Sequence, residues 1–137
     1  MSDTVQKPLP EMSQVAKPFW EAAREGRFII QKCAACGKYV FYPRIRCPHC
    51  SADQLQWVDA SGKGTVYSYT AVVNNAPSAF INDMPYVVAI IQLDEGVRML
   101  SNIVDCDPAE IRCDMPVEVT FEKLNDQFSL PKFKPIT

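Results

Sequence analysis

Residues 13–25 have the apolar spacing of an amphipathic helix. The apolar residues of this segment recur every three or four positions and share one side of the helix, with Trp20 beside it; they are Val15, Phe19, Ala22 and Ala23. Pro18 can occupy the first turn, where its missing N–H is not needed, and Gly26 suits the position after the helix end. We expect this side to pack on the rest of the chain; a lid over a ligand or a contact for a partner is the alternative.

From residue 27 the pattern changes to short strands separated by turns. Apolar and aromatic residues predict strands at 28–30, 39–42 and 55–58. A unit of roughly 30 residues buries too little apolar surface to fold unaided, so it needs a cross-link or a bound metal. We therefore expect a small ribbon held by such a group.

Longer strands follow a polar, glycine-containing stretch at 59–64. Alternating or continuous apolar residues predict them at 65–73, 86–93, 97–105, 117–122 and 128–133. In the alternating first strand, Tyr67 and Tyr69 are expected on one face. Asp107 is placed to cap a helix of one or two turns before the fourth strand. Four or five strands with such a helix are typical of the OB-fold, a small closed Greek-key barrel, so the fold class is mainly β.

The composition narrows the class of protein. The chain has 137 residues, a formal net charge of -2 and 47% hydrophobic residues, so it is not disordered throughout. Its longest unbroken apolar run, residues 86–91, is too short for a membrane span. We expect a cytoplasmic protein with an N-terminal arm and helix (1–26), a ribbon (27–60) and a barrel (61–137).

Four of the six cysteines have the spacing of metal ligands. They form two pairs, each with two intervening residues: Cys33 with Cys36, and Cys47 with Cys50. Four thiolates complete a tetrahedral structural site, which favours Zn²⁺ and leaves iron as the alternative; redox dithiols are a further alternative. His49 lies between two ligands and is expected to be exposed. Cys106 and Cys113 match no ligand spacing and are expected to pack as free thiols.

Further motifs accompany the cysteine pairs. The segments are FWEA at 19–22, CAACG at 33–37, FYPR at 41–44, CPHC at 47–50, GKGTVYSYT at 62–70, PYVVA at 85–89 and GVRMLSN at 96–102. In this order they resemble the DUF35 family of OB-fold proteins with a rubredoxin-like zinc ribbon. The resemblance covers roughly residues 15–135, and the four metal ligands match one for one.

The resemblance implies a small accessory subunit that binds acyl-CoA. Relatives of this family associate with thiolase-like enzymes or MaoC-like enoyl-CoA hydratases in lipid, sterol or polyketide pathways, as hetero-oligomers. They are not usually catalytic alone. No residue of this chain can be assigned as catalytic on this basis.

Charge and aromatic residues indicate where a phosphate-bearing ligand would bind. Residues 1–60 carry eight Lys and Arg against six Asp and Glu, whereas residues 61–137 carry six against ten, so the two parts have net charges of +2 and -4. No Asp or Glu occurs within 26–52. Core packing and a solvated basic surface are the alternatives. The candidate ligand contacts are Phe19, Trp20, Lys38, Arg44, Arg46, Tyr67 and Tyr69.

Two other functions are alternatives to this one. Zinc ribbons and OB barrels also bind single-stranded nucleic acid, and Tyr67 and Tyr69 are candidates for base stacking. The acidic barrel half argues against that function, because backbone binding needs concentrated positive charge. A stand-alone enzyme is not expected, since the chain has one His, no glycine-rich phosphate loop and a coordinatively full metal site.

Overall fold

The computed structural model describes residues 13–74 and 76–136. The expected N-terminal arm, residues 1–12, lies outside these ranges. In chain order the elements are helix α1 (Lys17–Arg24), strands β1 (Ile29–Cys33), β2 (Tyr39–Val40), β3 (Leu55–Asp59) and β4 (Lys63–Val72), a 3-10 helix (Ser78–Asp83), β5 (Tyr86–Leu93), β6 (Arg98–Ile103), a 3-10 helix (Pro108–Glu110), β7 (Pro116–Lys123) and β8 (Ser129–Pro135).

Helix α1 begins four residues later than its apolar spacing predicts. The preceding residues form a turn in which the Ala16 N–H donates to the Ser13 hydroxyl oxygen (3.2 Å). Pro18 lies in the first helical turn and Gly26 follows the end with a φ of +79°, as predicted. The expected apolar face is buried at Phe19, Ala22 and Ala23. No helix in the described ranges is long and apolar enough to cross a membrane.

The ribbon contains a three-stranded antiparallel sheet in the order β2-β1-β3. Strand β1 lies at its centre: Gln31 is paired with Val40 on one side and with Trp57 on the other. Asp59, the last residue of β3, forms an ion pair of 3.0 Å with Arg27, which precedes β1, and both side chains are exposed. The central position buries most of β1, including the polar side chain of Gln31.

The five later strands close into a barrel in the order β4-β5-β6-β8-β7, with β7 returning to β4. This arrangement confirms the predicted OB-fold. The β6–β8 pair is parallel and is recorded at one position, Ile103 opposite Phe133, so the first half of β6 has an open edge. A bulge between Val66 and Ser68 interrupts the β4 pairing. Consequently the simple alternation predicted for β4 is wrong beyond Val66, and five consecutive residues, 67–71, are exposed.

One glycine of β4 is required by a close backbone approach. A Cβ atom on Gly64 would lie 2.4 Å from the Gln92 carbonyl oxygen of β5.

Elsewhere in the barrel, the Asp107 carboxylate accepts a hydrogen bond from the Ala109 N–H (3.0 Å). The predicted cap is therefore present, but the helix after it is a single 3-10 turn because Ile111 is already extended.

The helix, the base of the ribbon and the barrel share one hydrophobic core. Phe19 of α1 packs edge-on against Phe28 (6.2 Å between ring centroids), and Phe28 packs in the same way against Phe133 of β8 (6.2 Å). Ile30 of β1 belongs to the same cluster. The tip of the ribbon has a separate small cluster of Cys33, Val40 and Cys47. The domain boundaries at 26/27 and 60/61 stay predictions. Across both boundaries the neighbouring segments pack into the same core.

Candidate functional site

Two matched turns hold the four paired cysteines. In the first, the Gly37 N–H donates to the Cys33 carbonyl oxygen (2.8 Å), and in the second the Ser51 N–H donates to the Cys47 carbonyl oxygen (2.8 Å). The residue four positions after the first cysteine has a positive φ in both turns, +78° at Gly37 and +67° at Ser51. The two-residue spacers thus fold as a pair of equivalent knuckles that face each other.

The four sulfur atoms are placed as a tetrahedral metal site requires. The Sγ atoms of Cys33 and Cys50 are 3.6 Å apart and those of Cys36 and Cys47 are 3.7 Å apart, with all four within 4.8 Å of one another. Zn–S bonds of about 2.3 Å in a tetrahedron give an S–S separation of roughly 3.8 Å. Cys33 and Cys47 are buried, whereas Cys36 and Cys50 are exposed. The donor set therefore fits a structural four-thiolate metal.

The thiols differ in how readily they lose their protons. The backbone N–H of Cys36, outweighing burial, lowers the pKa of Cys33 to about 7. The backbone N–H of Ala52 acts in the same direction on Cys50, but desolvation and the three other sulfur atoms raise the pKa of Cys50 to about 12. A bound cation would stabilise the four thiolates and take the place of their protons. Metal binding and deprotonation are therefore coupled.

The remaining His and Cys residues lie outside this ligand set. His49 is exposed, as predicted, and its backbone N–H donates to the Cys47 Sγ (3.3 Å). Cys106 is half-buried and packs against the main core, where desolvation, then the carboxylates of Glu110 and Asp107, raise the pKa of its thiol. The prediction of a packed thiol is wrong for Cys113, which is exposed because it lies in the turn that precedes β7.

A buried side chain of β1 fixes the loop that precedes the second cysteine pair. The Arg44 N–H donates to Gln31 Oε1 (2.7 Å), and Gln31 Nε2 donates to the Arg44 carbonyl oxygen (3.0 Å). Gln31 is 5% exposed, while Arg44, Ile45 and Arg46 are all exposed. The amide satisfies both backbone groups of Arg44, so the loop is held in one conformation. With Val15, these three loop residues line a shallow depression of about 550 Å³.

The candidate ligand residues of α1 are committed to packing. Phe19 is 5% exposed and contacts Phe28 and Phe41 edge-on. Trp20 is half-buried, with its ring 5.1 Å from that of Phe19 and 5.3 Å from that of Phe128. These two rings join the helix to the ribbon and the barrel. The cationic candidates Lys38, Arg44 and Arg46, by contrast, are exposed.

The candidate tyrosines of β4 are exposed and have different neighbours. The Arg98 guanidinium lies 3.8 Å from the centroid of the Tyr67 ring, a cation–π contact. Tyr69 donates its hydroxyl proton to the Ile111 carbonyl oxygen (2.9 Å). The hydroxyl oxygen of a third exposed tyrosine, Tyr42, accepts a hydrogen bond from the Leu100 N–H of β6 (3.0 Å). Tyr42 thereby connects β6 of the barrel with the loop of Arg44, Ile45 and Arg46, which we call the cationic loop.

Comparison with known proteins identifies the family. The model for the ChsH2 rubredoxin-like zinc ribbon domain matches residues 20–56, and that for the ChsH2 C-terminal OB-fold domain matches residues 57–122. A DUF35 domain-containing scaffold protein of Methanothermobacter thermautotrophicus is 43% identical over 97 residues, which cover 70% of this chain and 72% of that protein. The chain belongs to the DUF35 family. The predicted resemblance is confirmed.

Other proteins similar to this chain carry names of enzymes or enzyme subunits. A probable enoyl-CoA hydratase alpha subunit of Thermomonospora curvata is 37% identical over 129 residues, 94% of this chain; the chain spans only 40% of that protein's length. The benzoylsuccinyl-CoA thiolase subunit BbsA of Thauera aromatica is 28% identical over 120 residues, 85% of this chain and 81% of that one. A chain of the solved Ltp2-ChsH2(DUF35) aldolase is 37% identical, with a TM-score of 0.83 over 93% of this chain and 98% of that chain.

Proposed function

We propose that this DUF35 protein is a non-catalytic accessory subunit that binds an acyl-CoA thioester. Its partner would be a thiolase-like enzyme or a MaoC-like hydratase in lipid, sterol or polyketide metabolism. Relatives named as subunits of a hydratase and of a thiolase support the partnership. The cationic loop around Arg44 is the observation that supports CoA as the ligand.

The cationic loop has the chemistry of a phosphate site. None of the Lys38, Arg44 and Arg46 side chains forms an ion pair with a residue in the described part of the chain. Guanidinium groups bind phosphate by paired, charge-assisted hydrogen bonds, and the ligand would supply the missing negative charge. Because Gln31 fixes the Arg44 backbone, the loop needs little reordering when it binds.

Two exposed tyrosines, Tyr42 and Tyr67, would contact the rest of the ligand. Tyr42 stands two residues before Arg44, and its bond to Leu100 leads to the barrel face that carries Tyr67. Tyr69 lies on the same strand as Tyr67. Phe19 and Trp20 are left out of the proposed ligand contacts because their rings are part of the packing between elements.

Arg44→Ala is expected to weaken CoA binding about tenfold, since one charge-assisted contact to phosphate would be lost. Isothermal titration of the full chain with CoA and with a long-chain acyl-CoA measures this change. Arg112→Ala is the matched control: it removes an exposed guanidinium that lies among the carboxylates of the barrel and should leave the affinity unchanged. An equal affinity for the Arg44→Ala variant and the unaltered chain would place the phosphate site elsewhere.

We propose Zn²⁺ as the structural metal, with iron as the alternative that has the same ligands. The closed four-thiolate geometry leaves no coordination position for a substrate, so the metal would stabilise the ribbon and take no part in chemistry. Elemental analysis of the purified protein distinguishes the two metals. One zinc per chain is expected, and a stoichiometric iron content would refute this assignment.

A further inference from the structure

Exposed apolar side chains form a continuous strip across the junction of ribbon and barrel. Tyr67, Leu100 and Tyr42 are 48%, 58% and 52% exposed. Their order is set by contacts: Arg98 covers the Tyr67 ring, Leu100 is two residues along the same face of β6, and the Leu100 N–H binds the Tyr42 hydroxyl. We call Tyr42, Tyr67, Arg98 and Leu100 the apolar strip.

The strands and the ribbon segment that carry or adjoin the apolar strip contain no Asp or Glu. Strands β4, β5 and β6 lack Asp and Glu entirely, and so do residues 26–52 of the ribbon. The acidic residues of the barrel half lie instead in turns, in 3-10 helices and in β7: Asp83, Asp94, Glu95, Asp105, Asp107, Glu110, Asp114, Glu118, Glu122 and Asp126. Within β4, β5 and β6 the charged side chains are therefore cationic only, Lys63 and Arg98.

The apolar strip has the composition and the rigidity of a protein interface. Tyr and Arg are enriched at the centres of interfaces, whereas Lys, Asp and Glu are depleted there. Arg98 is held on two sides, by the Tyr67 ring and by a hydrogen bond from its Nε to Gln92 Oε1 (3.2 Å). Tyr42 is held by its hydroxyl. Side chains ordered before binding lose little entropy in a complex.

We propose that the apolar strip is the surface on which this chain docks its partner enzyme subunit. The facing surface of that subunit would be apolar at its centre and would carry Asp or Glu opposite Arg98. This inference rests on the proposed function, because it takes the partner to be a thiolase-like enzyme or a hydratase.

Charge and contacts favour this occupant over two others. In a symmetric dimer of this chain the same cations would face each other, which costs free energy. A stacked nucleic-acid base needs an open ring face, and the Arg98 guanidinium already covers one face of Tyr67. An aliphatic residue such as Leu100, 58% exposed, fits an apolar protein pocket.

Leu100→Asp tests the docking surface. The thiolase-like and MaoC-like subunits of the same genome are purified, and each is titrated with the full chain by interferometry. The substitution should weaken binding about tenfold or more, as expected for an interface centre, and Arg98→Glu should do the same. Ile136→Asp is the matched control: it places the same charge on an exposed aliphatic residue beside Asp105 and Glu118, and should bind like the unaltered chain. The melting temperature should not change.

The possible failures are distinguishable. If the unaltered chain binds neither subunit, the proposed partnership is wrong and the docking surface falls with it. If it binds one of them and Leu100→Asp binds equally well, the docking surface alone is wrong. A third outcome is that Leu100→Asp and Arg98→Glu leave subunit binding unchanged but abolish self-association or binding of a single-stranded oligonucleotide. That outcome would assign the apolar strip to a second copy of the chain or to nucleic acid.

Discussion

Ser51 and Gly37 occupy equivalent positions in the two cysteine turns, so the second turn has a serine where the first has a glycine. Both residues have a positive φ, +67° at Ser51 and +78° at Gly37. A side chain in the left-handed region costs about 1 kcal/mol relative to glycine, because Cβ approaches the following backbone. The second cysteine turn is therefore the more strained of the two.

Ser51→Gly should raise the free energy of unfolding by about 0.5–1 kcal/mol, since the relief of strain exceeds the extra entropy of an unfolded glycine. Urea unfolding of the metal-loaded protein measures the change. The reciprocal variant, Gly37→Ser, should be destabilised by a similar amount. A loss of stability in Ser51→Gly would show that the serine side chain contributes more than its backbone strain removes.

Sequence alone predicts the metal ligands but not the residue that orders the cationic loop. The cysteine spacing is local, so four ligands and two turns can be assigned before the fold is known. The role of Gln31 depends on a contact with Arg44, 13 residues later, and on burial at the centre of a sheet. A polar residue in a strand usually indicates a solvent-facing position, and the sequence has no signal that overrides this expectation.

At the scale of the elements, the first half of β6 has an open edge because its recorded pairing with β8 is confined to Ile103. Unpaired N–H groups on such an edge favour pairing with other chains. The hydroxyl of Tyr42 satisfies one of them, at Leu100. An element of the ribbon thus completes the hydrogen bonding of the barrel.

Tyr42→Phe should lower the free energy of unfolding by about 1 kcal/mol, because the Leu100 N–H would lose its partner while the ring remains in place. Thermal unfolding followed by circular dichroism measures the effect. Tyr39→Phe is the control, since the Tyr39 hydroxyl has no hydrogen bond to a residue in the described ranges. Equal stability of the two variants would mean that water replaces the Tyr42 hydroxyl without cost.

The elements themselves follow the apolar pattern closely, and the departures have local causes. Each of the five barrel strands was predicted within a few residues of its observed position. The bulge after Val66 was missed because it depends on the pairing of β4 with β5. The 3-10 helix Ser78–Asp83 was also missed, since it has no buried residues and hence no apolar periodicity.

At the scale of the whole molecule, packing divides the ribbon into two parts. Its base, including Phe28 and Ile30, belongs to the barrel core, whereas its tip is a cluster of Cys33, Val40 and Cys47 around the metal site. The sequence predicts the ribbon as one unit because short strands and both cysteine pairs follow one another up to the polar, glycine-containing stretch at 59–64. Contacts between distant segments, such as Phe28 with Phe133, decide the actual grouping.

Removal of the metal should therefore unfold the tip and leave the barrel folded. With a strong chelator, the Gly37 and Ser51 amides should lose about a hundredfold or more of their protection from hydrogen exchange, because metal binding supplies the folding free energy of such small units. The Val66 amide, which bonds to the Met115 carbonyl oxygen in the barrel, should stay protected. Exchange followed by mass spectrometry gives both rates.

Two cysteine variants control the chelation experiment. Cys33→Ser should reproduce the effect of the chelator, and Cys113→Ser, at an exposed thiol outside the ligand set, should keep the metal and the protection. Simultaneous loss of protection in the barrel would contradict the division of the ribbon and would mean that the metal stabilises the entire chain.

Strand β1 (Ile29–Cys33) has a consequence for protein engineering. Within five residues it contributes Ile30 to the shared core, Gln31 to the cationic loop and Cys33 to the metal site. A chimaera that exchanges ribbons between DUF35 proteins at the 26/27 boundary would import foreign side chains into the recipient barrel. Successful grafts must therefore keep Phe28 and Ile30 of the recipient, or transfer Phe133 together with the ribbon.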